Sequence, residues 1–208
     1  MPRSDSSGYV RNTRDDVVAA ALEILDRQGL PDLTMRHLAN TLGVAASALY
    51  WHFPNKQSLL AAVSDQIIAG ARLSSRSAAD WRDAVRAEAS ALHDALLAFK
   101  DGAEVVSSTL ALGLGAAELQ QRLASAIGGG GFDPRTTELA AETMVHFIVG
   151  HAFHRQQRMQ ADSLGAVAEE HSLDHEDPAA QAPQAFELGI TLLVAGLEAQ
   201  VRPPVQAR

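Results

Sequence analysis

Hydrophobic residues along much of this chain recur at intervals of three or four, the spacing that places them on one face of an α-helix. The pattern predicts five helices of this kind, over residues 13–28, 56–73, 81–100, 103–112 and 114–127. Strand-forming residues are few and alanine is abundant. The expected fold is therefore all-α.

Two later segments, 134–159 and 183–201, are apolar almost all the way round. A helix without a polar face must be covered on both sides. One side can meet the core of its own chain and the other side a second subunit, and Gly189 and Gly196 would allow a close approach there. The pattern therefore predicts a homodimer joined by two such helices from each chain.

The stretch from residue 33 to residue 56 has the pattern of two short helices around a tight corner. Thr34 can cap the first helix. Gly43 stands where the chain must reverse, because a residue without Cβ tolerates the backbone angles of such a turn. This arrangement predicts a helix-turn-helix motif, whose second helix enters the major groove of DNA.

The second helix of the motif, predicted over residues 46–52, has Leu49 on its inward side and leaves three rings facing partly or wholly outward: Tyr50, Trp51 and His52. Large aromatic groups on an open surface indicate a binding partner. We interpret that partner as DNA. The alternative is that Tyr50 and Trp51 are core aromatics of this part of the chain.

The strings LTMRHLANTLGV and LYWHFPNK resemble the signature of the TetR family of bacterial repressors, and LYWH is most similar to the tetracycline-repressor branch. The resemblance implies an N-terminal three-helix DNA-binding head and a larger C-terminal helical domain for ligand binding and dimerisation. The residues expected to contact DNA are Thr34, Met35, Arg36, Ala46, Ser47, Ala48, Tyr50, Trp51, His52 and Lys56. Of these, Lys56 is expected to bind a phosphate.

The tetracycline-repressor branch also suggests how the ligand has changed. In that branch a His and a Thr after an Asp-Gly-Ala turn, with a Glu late in the long helix, help to hold a magnesium-antibiotic complex. This chain keeps the turn at residues 101–103 and the Thr as Thr109, but has Val106 in place of the His and His154 in place of the Glu. The resemblance therefore implies a different ligand, and neither a metal nor a cofactor is expected.

The same resemblance implies a mostly apolar pocket that takes a small organic effector, antibiotic-like, aromatic or polyketide-like. The residues expected to line it are Glu88, Leu92, Val106, Thr109, Met144, Phe147 and His151. For each of these residues taken singly, a plain structural role is the alternative.

Charge divides the chain into two parts. Residues 1–72 hold seven basic and seven acidic residues, whereas residues 73–208 hold ten and eighteen, which accounts for the net charge of −8. The expected organisation is a disordered arm over 1–12, a DNA-binding domain over 13–73 and a ligand-binding and dimerisation domain over 80–201. A mobile acidic loop is expected within the last domain, over 162–181.

Composition limits the chemistry. The chain has no cysteine, which excludes disulfides and thiol nucleophiles. No catalytic motif is present, so an enzyme is not expected. The pairs His151/His154 and His171/His175 have spacings that metals can use, but a structural or polar-pocket role is favoured. No long apolar run or signal core occurs, so a cytoplasmic protein that does not enter a membrane is expected.

These observations predict a transcriptional repressor that binds an inverted-repeat operator as a dimer and is released by a small organic molecule. Two alternatives stay open at this point. The protein could be an activator with the same head, or a helical small-molecule carrier or enzyme whose head is vestigial.

Overall fold

A computed structural model describes residues 12–72, 78–163 and 178–201 of the chain. These ranges contain nine α-helices and no strand, which confirms the expected all-α fold. The helices are α1 Arg14–Gln28, α2 Met35–Thr41, α3 Ala46–Leu49, α4 Lys56–Ala69, α5 Trp81–Leu97, α6 Gly102–Ala111, α7 Ala117–Gly128, α8 Pro134–Ser163 and α9 Pro178–Val201. Among the described residues, no helix is long and apolar enough to cross a membrane.

The first helix begins and ends where its sequence predicts. The Asp16 N–H donates to Oγ1 of Thr13 at 3.2 Å, and the Thr13 N–H donates to Oδ2 of Asp16 at 2.7 Å. This reciprocal pair satisfies two backbone donors that a helix start leaves free. Gly29 then ends α1 with a φ of 95°, in the region that favours glycine.

The corner between α2 and α3 also has the predicted chemistry. Oγ1 of Thr34 accepts the N–H of His37 at 3.1 Å and caps α2. Gly43 adopts a φ of 65° where the chain reverses. The second helix is shorter than predicted, however, because α3 ends at Leu49 and not at residue 52.

After Leu49 the chain runs in a turn, in which the N–H groups of His52 and Phe53 both donate to the Leu49 carbonyl, at 3.0 and 2.9 Å. Phe53 precedes Pro54, and the residue before a proline is pushed out of the helical region, so the helix does not resume after this turn. Tyr50, Trp51 and His52 lie on this turn.

Helix α4 begins as expected and ends four residues earlier than the predicted residue 73. Asn55 caps it by accepting the Ser58 N–H at 2.8 Å. Gly70, a poor helix former, follows its last residue. A guanidinium nitrogen of Arg122 donates to the carbonyls of Ile68 and Ala71, at 3.4 and 3.0 Å, and so binds backbone groups at the end of the helix.

Helix α9 starts at residue 178, five residues before the predicted start, and contains Pro183 in its interior. The predicted mobile loop over 162–181 is thus wrong at both ends, because 162–163 belong to α8 and 178–181 to α9. Residues 164–177 lie outside the described ranges, as do residues 1–11 of the predicted arm and residues 73–77 at the predicted domain boundary.

Helix α5 is shorter than predicted, because it ends at Leu97, three residues before the predicted end.

A continuous buried core runs through the structure. In the head, which we define as α1 to α4, it includes the fully buried side chains of Leu25, Leu38 and Phe53. In the body, defined as α5 to α9, helix α5 packs against α6, α7, α8 and α9. Its residues Leu92 and Leu96 are fully buried there.

The two long helices of the body keep apolar side chains on the surface of the single chain. Leu139 of α8 and Leu188 and Leu192 of α9 are more than half exposed. Gly189 does allow a close approach, but to the ring of Phe147 in the same chain, which a Cβ at position 189 would overlap. The prediction that both glycines admit a second subunit is therefore wrong for Gly189.

Candidate nucleic-acid interface and ligand cavity

The aromatic side chains after α3 lie on the outside of the head. Trp51 is 91% exposed and Tyr50 is 50% exposed, while Leu49 and Phe53 on either side of them are buried. His52 is partly buried. The alternative interpretation of Tyr50 and Trp51 as core aromatics is therefore wrong.

The other residues predicted to contact DNA lie at the starts of α2, α3 and α4. Arg36, Ala46 and Ser47 are exposed, and Ala48 is partly buried. Met35 differs from them because its side chain packs partly against the core.

Two of the predicted residues stand at the ends of helices. Thr34 is exposed, with its hydroxyl capping α2. Lys56 is the first residue of α4 and places a cation beside the free N–H groups of that helix start. A phosphate is the natural partner for such a group, because it accepts both the ammonium and backbone donors.

A shallow polar groove on α2 adds residues that sequence reasoning missed. His37, Asn40 and Thr41 line it together with Thr34 and Arg36. The spacing of 37, 40 and 41 is that of one helical face. This spacing was visible in the sequence, but it does not distinguish a DNA-facing surface from a solvated one.

A cavity of about 640 Å³ lies in the body between α5, the middle of α8 and α9. Its walls carry charged and polar groups as well as apolar ones, among them Arg86, His93, Asp94, Arg155, Phe186 and Ile190. On α5, the polar residues at 86, 90, 93 and 94 face it, a spacing that indicates an ordinary solvated helix face in the sequence. The packing of α9 opposite this face is what creates the cavity.

None of the seven residues expected to line a pocket lies in the wall of this cavity. Four of them are buried in the core, namely Leu92, Val106, Thr109 and Met144. A fifth, Glu88, accepts a hydrogen bond from Nε of Arg122 of α7 at 2.9 Å and forms an ion pair with the same guanidinium, with 2.8 Å between the charged atoms.

The last two of the seven lie directly behind the cavity wall. Phe147 stacks on Phe186, with ring centroids 5.8 Å apart. His151 bonds to His93, which itself lines the cavity. The sequence therefore placed these two residues near a cavity without identifying the side chains that form its surface.

His93 and His151 form a hydrogen-bonded pair at this wall. Nε2 of His93 lies 2.9 Å from Nδ1 of His151, and Nε2 of His151 lies 3.0 Å from the carbonyl oxygen of Ala182. A carbonyl oxygen only accepts, so Nε2 of His151 carries a proton, and Nδ1 of a neutral His151 accepts from Nε2 of His93. Nδ1 of a neutral His93 is then an unprotonated acceptor.

The surroundings keep both rings neutral at pH 7. Burial, together with the electrostatic effect of the neighbouring His151 and Arg155, lowers the pKa of His93 to about 4. Burial also lowers the pKa of His151, although the bond to Ala182 acts in the opposite direction. The proton positions described above therefore apply under physiological conditions.

Two family models match the chain. The model for bacterial regulatory proteins of the tetR family matches residues 17–63, and the model for the tetracyclin repressor-like C-terminal domain matches residues 75–201. The chain belongs to the TetR family of bacterial regulatory proteins. Its head is therefore the DNA-binding domain of a transcriptional regulator, as the motif in its sequence implies.

Individual relatives agree with this assignment over nearly the whole chain. The tetracycline repressor protein class G of Vibrio anguillarum is 34% identical over 196 residues, which cover 88% of this chain and 91% of the relative. The structure of BioQ from Mycobacterium smegmatis is 40% identical with a TM-score of 0.77, covering 90% of this chain and 98% of that chain. A structure of BioQ with its double-stranded DNA operator is 37% identical with a TM-score of 0.72, covering 89% and 98% of the two chains.

In this TetR-family chain, one buried carboxylate joins the head to the body. Asp101, in the turn before α6, accepts the N–H of Leu30 at 2.8 Å and a side-chain N–H of Gln160. Its backbone adopts a left-handed φ of 56°, a conformation that Asp tolerates better than most residues. The predicted Asp-Gly-Ala turn thus holds the corner that follows α1.

A second set of bonds joins α4 to the body. Oγ1 of Thr109 donates to Oγ of Ser64 at 3.0 Å, and both side chains are fully buried. The N–H of Ala116 donates to Oδ1 of Asp65 at 2.7 Å. Helix α4 thus begins at the DNA-reading motif and ends against α6 and α7 of the body.

Among the described residues, no group of three or more His, Asp or Glu side chains could hold a metal ion. Of the two histidines with metal-compatible spacing on α8, His151 bonds to His93, and His154 is exposed. The pair His171 and His175 lies outside the described ranges.

Proposed function

We propose that this protein is a ligand-responsive transcriptional repressor that binds an inverted-repeat operator as a homodimer and leaves it when a small organic molecule binds the body. The observation that carries the proposal is the exposure of Trp51 and Tyr50 on the turn that follows the second helix of the motif. Rings of that size in water have unfavourable apolar exposure unless a partner covers them. The role is regulatory, and it is carried out in the cytoplasm, where bacterial DNA lies.

Within the operator, the exposed side chains divide the recognition between backbone and bases. Tyr50, Trp51 and His52 pack against the sugar-phosphate backbone, which positions the head without reading sequence. Lys56 binds a phosphate at the start of α4.

Sequence is read by a small set of groups at the starts of α2 and α3. Arg36 and Ser47 supply hydrogen bonds to base edges. Ala46 and Ala48 can only make apolar contacts, such as with a thymine methyl group. Specificity then rests on few hydrogen bonds.

The proposed dimer uses the exposed apolar faces of α8 and α9. Leu139, Leu188 and Leu192 are 52%, 59% and 62% exposed in the single chain, which is apolar surface that a second copy would remove from water. A twofold dimer presents its two heads about 34 Å apart, or at a multiple of that spacing, to successive turns of the major groove.

Release from DNA follows from coupling between effector binding in the body and DNA binding by the head. An effector that binds better to a body conformation with wrongly spaced heads lowers DNA affinity, and DNA lowers effector affinity by the same factor. The bonds of Ser64 and Asp65 to the body make α4 the element that carries the shift. The seven residues expected from the family resemblance remain proposed effector contacts, reached by rearrangement of the core around Met144 and Val106.

The experiment that tests the proposal is a gel shift of the purified protein on DNA flanking its own gene, repeated with small organic compounds. A specific shift that a compound reverses is the expected result. Transcription from the same DNA in a reconstituted assay should fall when the protein is added. Turnover or tight small-molecule binding without any shift would contradict it, and a rise in transcription would identify an activator.

A further inference from the structure

The cavity between α5 and α9 is separate from the pocket that the family resemblance implies. Residues 86, 90, 93 and 94 face the cavity, at the i, i+4, i+7 and i+8 positions of one side of α5. Glu88 lies on another side of α5, where it pairs with Arg122 of α7. The cavity therefore has its own chemistry.

One part of the cavity wall presents two hydrogen-bond acceptors side by side. Nδ1 of His93 is unprotonated, as the bonds through His151 to Ala182 require, and it lies 3.9 Å from Oδ1 of Asp94. Two acceptors at that distance can both bond to one donor group of a bound molecule. A hydroxyl or amino group of a ligand is such a donor.

Another part of the wall presents a positive charge. Arg155 lines the cavity and lies close enough to His93 to disfavour a charge on that ring. Within the described ranges, no acidic side chain forms an ion pair with Arg155, whereas Arg86 reaches Asp83 at 3.6 Å. The Arg155 guanidinium can therefore bind a carboxylate, for which its forked geometry is suited.

The wall also has an apolar part, next to the polar side chains of Ser90, Glu187 and Thr191. Phe186 and Ile190 are 7% and 3% exposed, and the Phe186 ring stacks on His93 with 4.1 Å between the ring centroids. The stacking fixes the plane of the His93 ring and therefore the direction of its Nδ1 lone pair. The volume of about 640 Å³ falls within the range of sites that take small organic molecules.

We infer that this cavity is an effector site for a small amphipathic organic acid that also carries a hydroxyl or amino group. Arg155 binds the carboxylate, His93 and Asp94 accept hydrogen bonds from the hydroxyl or amino group, and Phe186 and Ile190 pack on the apolar body. The inference rests on the proposed function and goes beyond it, since it adds a second effector site, apart from the seven residues of the implied pocket, and names the class of molecule that binds there.

The position of the site also explains how its occupant would act on DNA binding. Phe186 and Ile190 lie on one side of α9, and Leu188 and Leu192 lie exposed on another side of the same helix. A ligand between α5 and α9 changes the position of α9, and so changes the surface offered to the second subunit. The spacing of the two heads depends on that surface.

The test uses the full-length protein and a panel of hydroxyaryl and aminoaryl alkanoic acids, each with its methyl ester and its analogue without the hydroxyl or amino group. Isothermal calorimetry measures binding, and the operator gel shift measures release. We expect one acid per chain to bind, the matching ester to bind at least about tenfold more weakly, and the analogue without the donor to bind about fivefold more weakly.

Three variants localise the binding. Arg155→Gln should remove the preference for acid over ester. Thr191→Trp, at an exposed residue of the cavity wall, should fill the space and abolish binding without disturbing the core. Arg135→Gln is the matched control, because it makes the same charge change at an exposed position on α8 outside the cavity.

Each outcome decides the inference. It is overturned if no acid of the panel binds, if Arg155→Gln keeps the acid preference, or if Thr191→Trp binds as well as the unaltered protein. Operator binding without any acid binding would overturn the inference and leave the proposed function standing. Acid binding without operator binding would overturn the effector role and the proposed function together.

Discussion

The head and the body present their functional groups in opposite ways. In the head, the candidate DNA contacts are consecutive or nearly consecutive in sequence and stand in solvent, with Trp51 91% exposed. In the body, the cavity is assembled from helices far apart in sequence, and groups such as His93 are nearly buried. An outward surface on a short motif can be inferred from residue identity, whereas an inward one depends on which helices pack together.

The largest effect, a loss of operator binding, is expected at the proposed dimer face of the body, because the spacing of the two heads depends on it. Replacing Leu188 and Leu192 together with Glu places two charges on the proposed dimer face. We expect light scattering to give the mass of one chain, 22.1 kDa, and operator binding to be lost. Single heads then bind without the affinity gained by linking two half-sites.

Leu112→Glu serves as the control for this double variant, because Leu112 is also exposed but lies on neither α8 nor α9. It should remain dimeric and bind the operator normally. A double variant that still behaves as a dimer would show that the body does not use these faces.

The next largest effect, a loss of stability, is expected on the inner side of the head. Leu49→Ala removes a side chain that is 1% exposed. We expect the free energy of unfolding to fall by about 2–5 kcal/mol, because the deletion leaves a cavity in the core of the head. Chemical denaturation measures this loss. No loss of stability would mean that α3 is held to the head by other contacts.

A smaller effect, on operator binding and not on stability, is expected at Trp51. Trp51→Ala should weaken operator binding by about 2 kcal/mol, or about 30-fold, as removal of a central aromatic contact does. The melting temperature should stay nearly unchanged, since the ring makes little contact with the protein. Operator titration and thermal unfolding check the two parts of this prediction, and a large drop in melting temperature would mean that the ring supports the fold.

The smallest effect concerns the buried histidine of the body. The folded-state pKa of His93 is about 4, below its unfolded value of 6.5. The unfolded chain therefore binds more protons between these values, and stability should fall as the pH drops from 6.5 toward 4. The groups facing the ring are His151, Arg155 and Asp94.

His93→Gln, which does not titrate, should show a shallower loss of stability over the same pH window in denaturant unfolding. His154→Gln, which makes the same substitution at an exposed position on α8, is the control. Equal slopes for the unaltered protein and His93→Gln would show that the ring is not held neutral in the folded state.

The sequence predicted local structure well where a few neighbouring residues decide it. The capping pair of Thr13 and Asp16 and the reversal at Gly43 depend only on nearby backbone and side chains, and both were correct. The predicted length of α3 is wrong because the spacing of its residues does not show that the chain passes from helix to turn after Leu49. The start of α9 at residue 178 differs from the predicted 183 because the helix accommodates Pro183 in its interior, although proline is typical of a helix start.

The amino-acid sequence by itself determined the all-α fold, the helix-turn-helix motif and the outward direction of Tyr50 and Trp51. Periodicity, capping and the inward face of Leu49 are properties of short segments, so they can be read without knowing the rest of the molecule. Only the tertiary structure decided that His93 pairs with His151 and that Arg155 and Phe186 share a cavity. Those groups lie on different helices, and their distances depend on how α5, α8 and α9 pack.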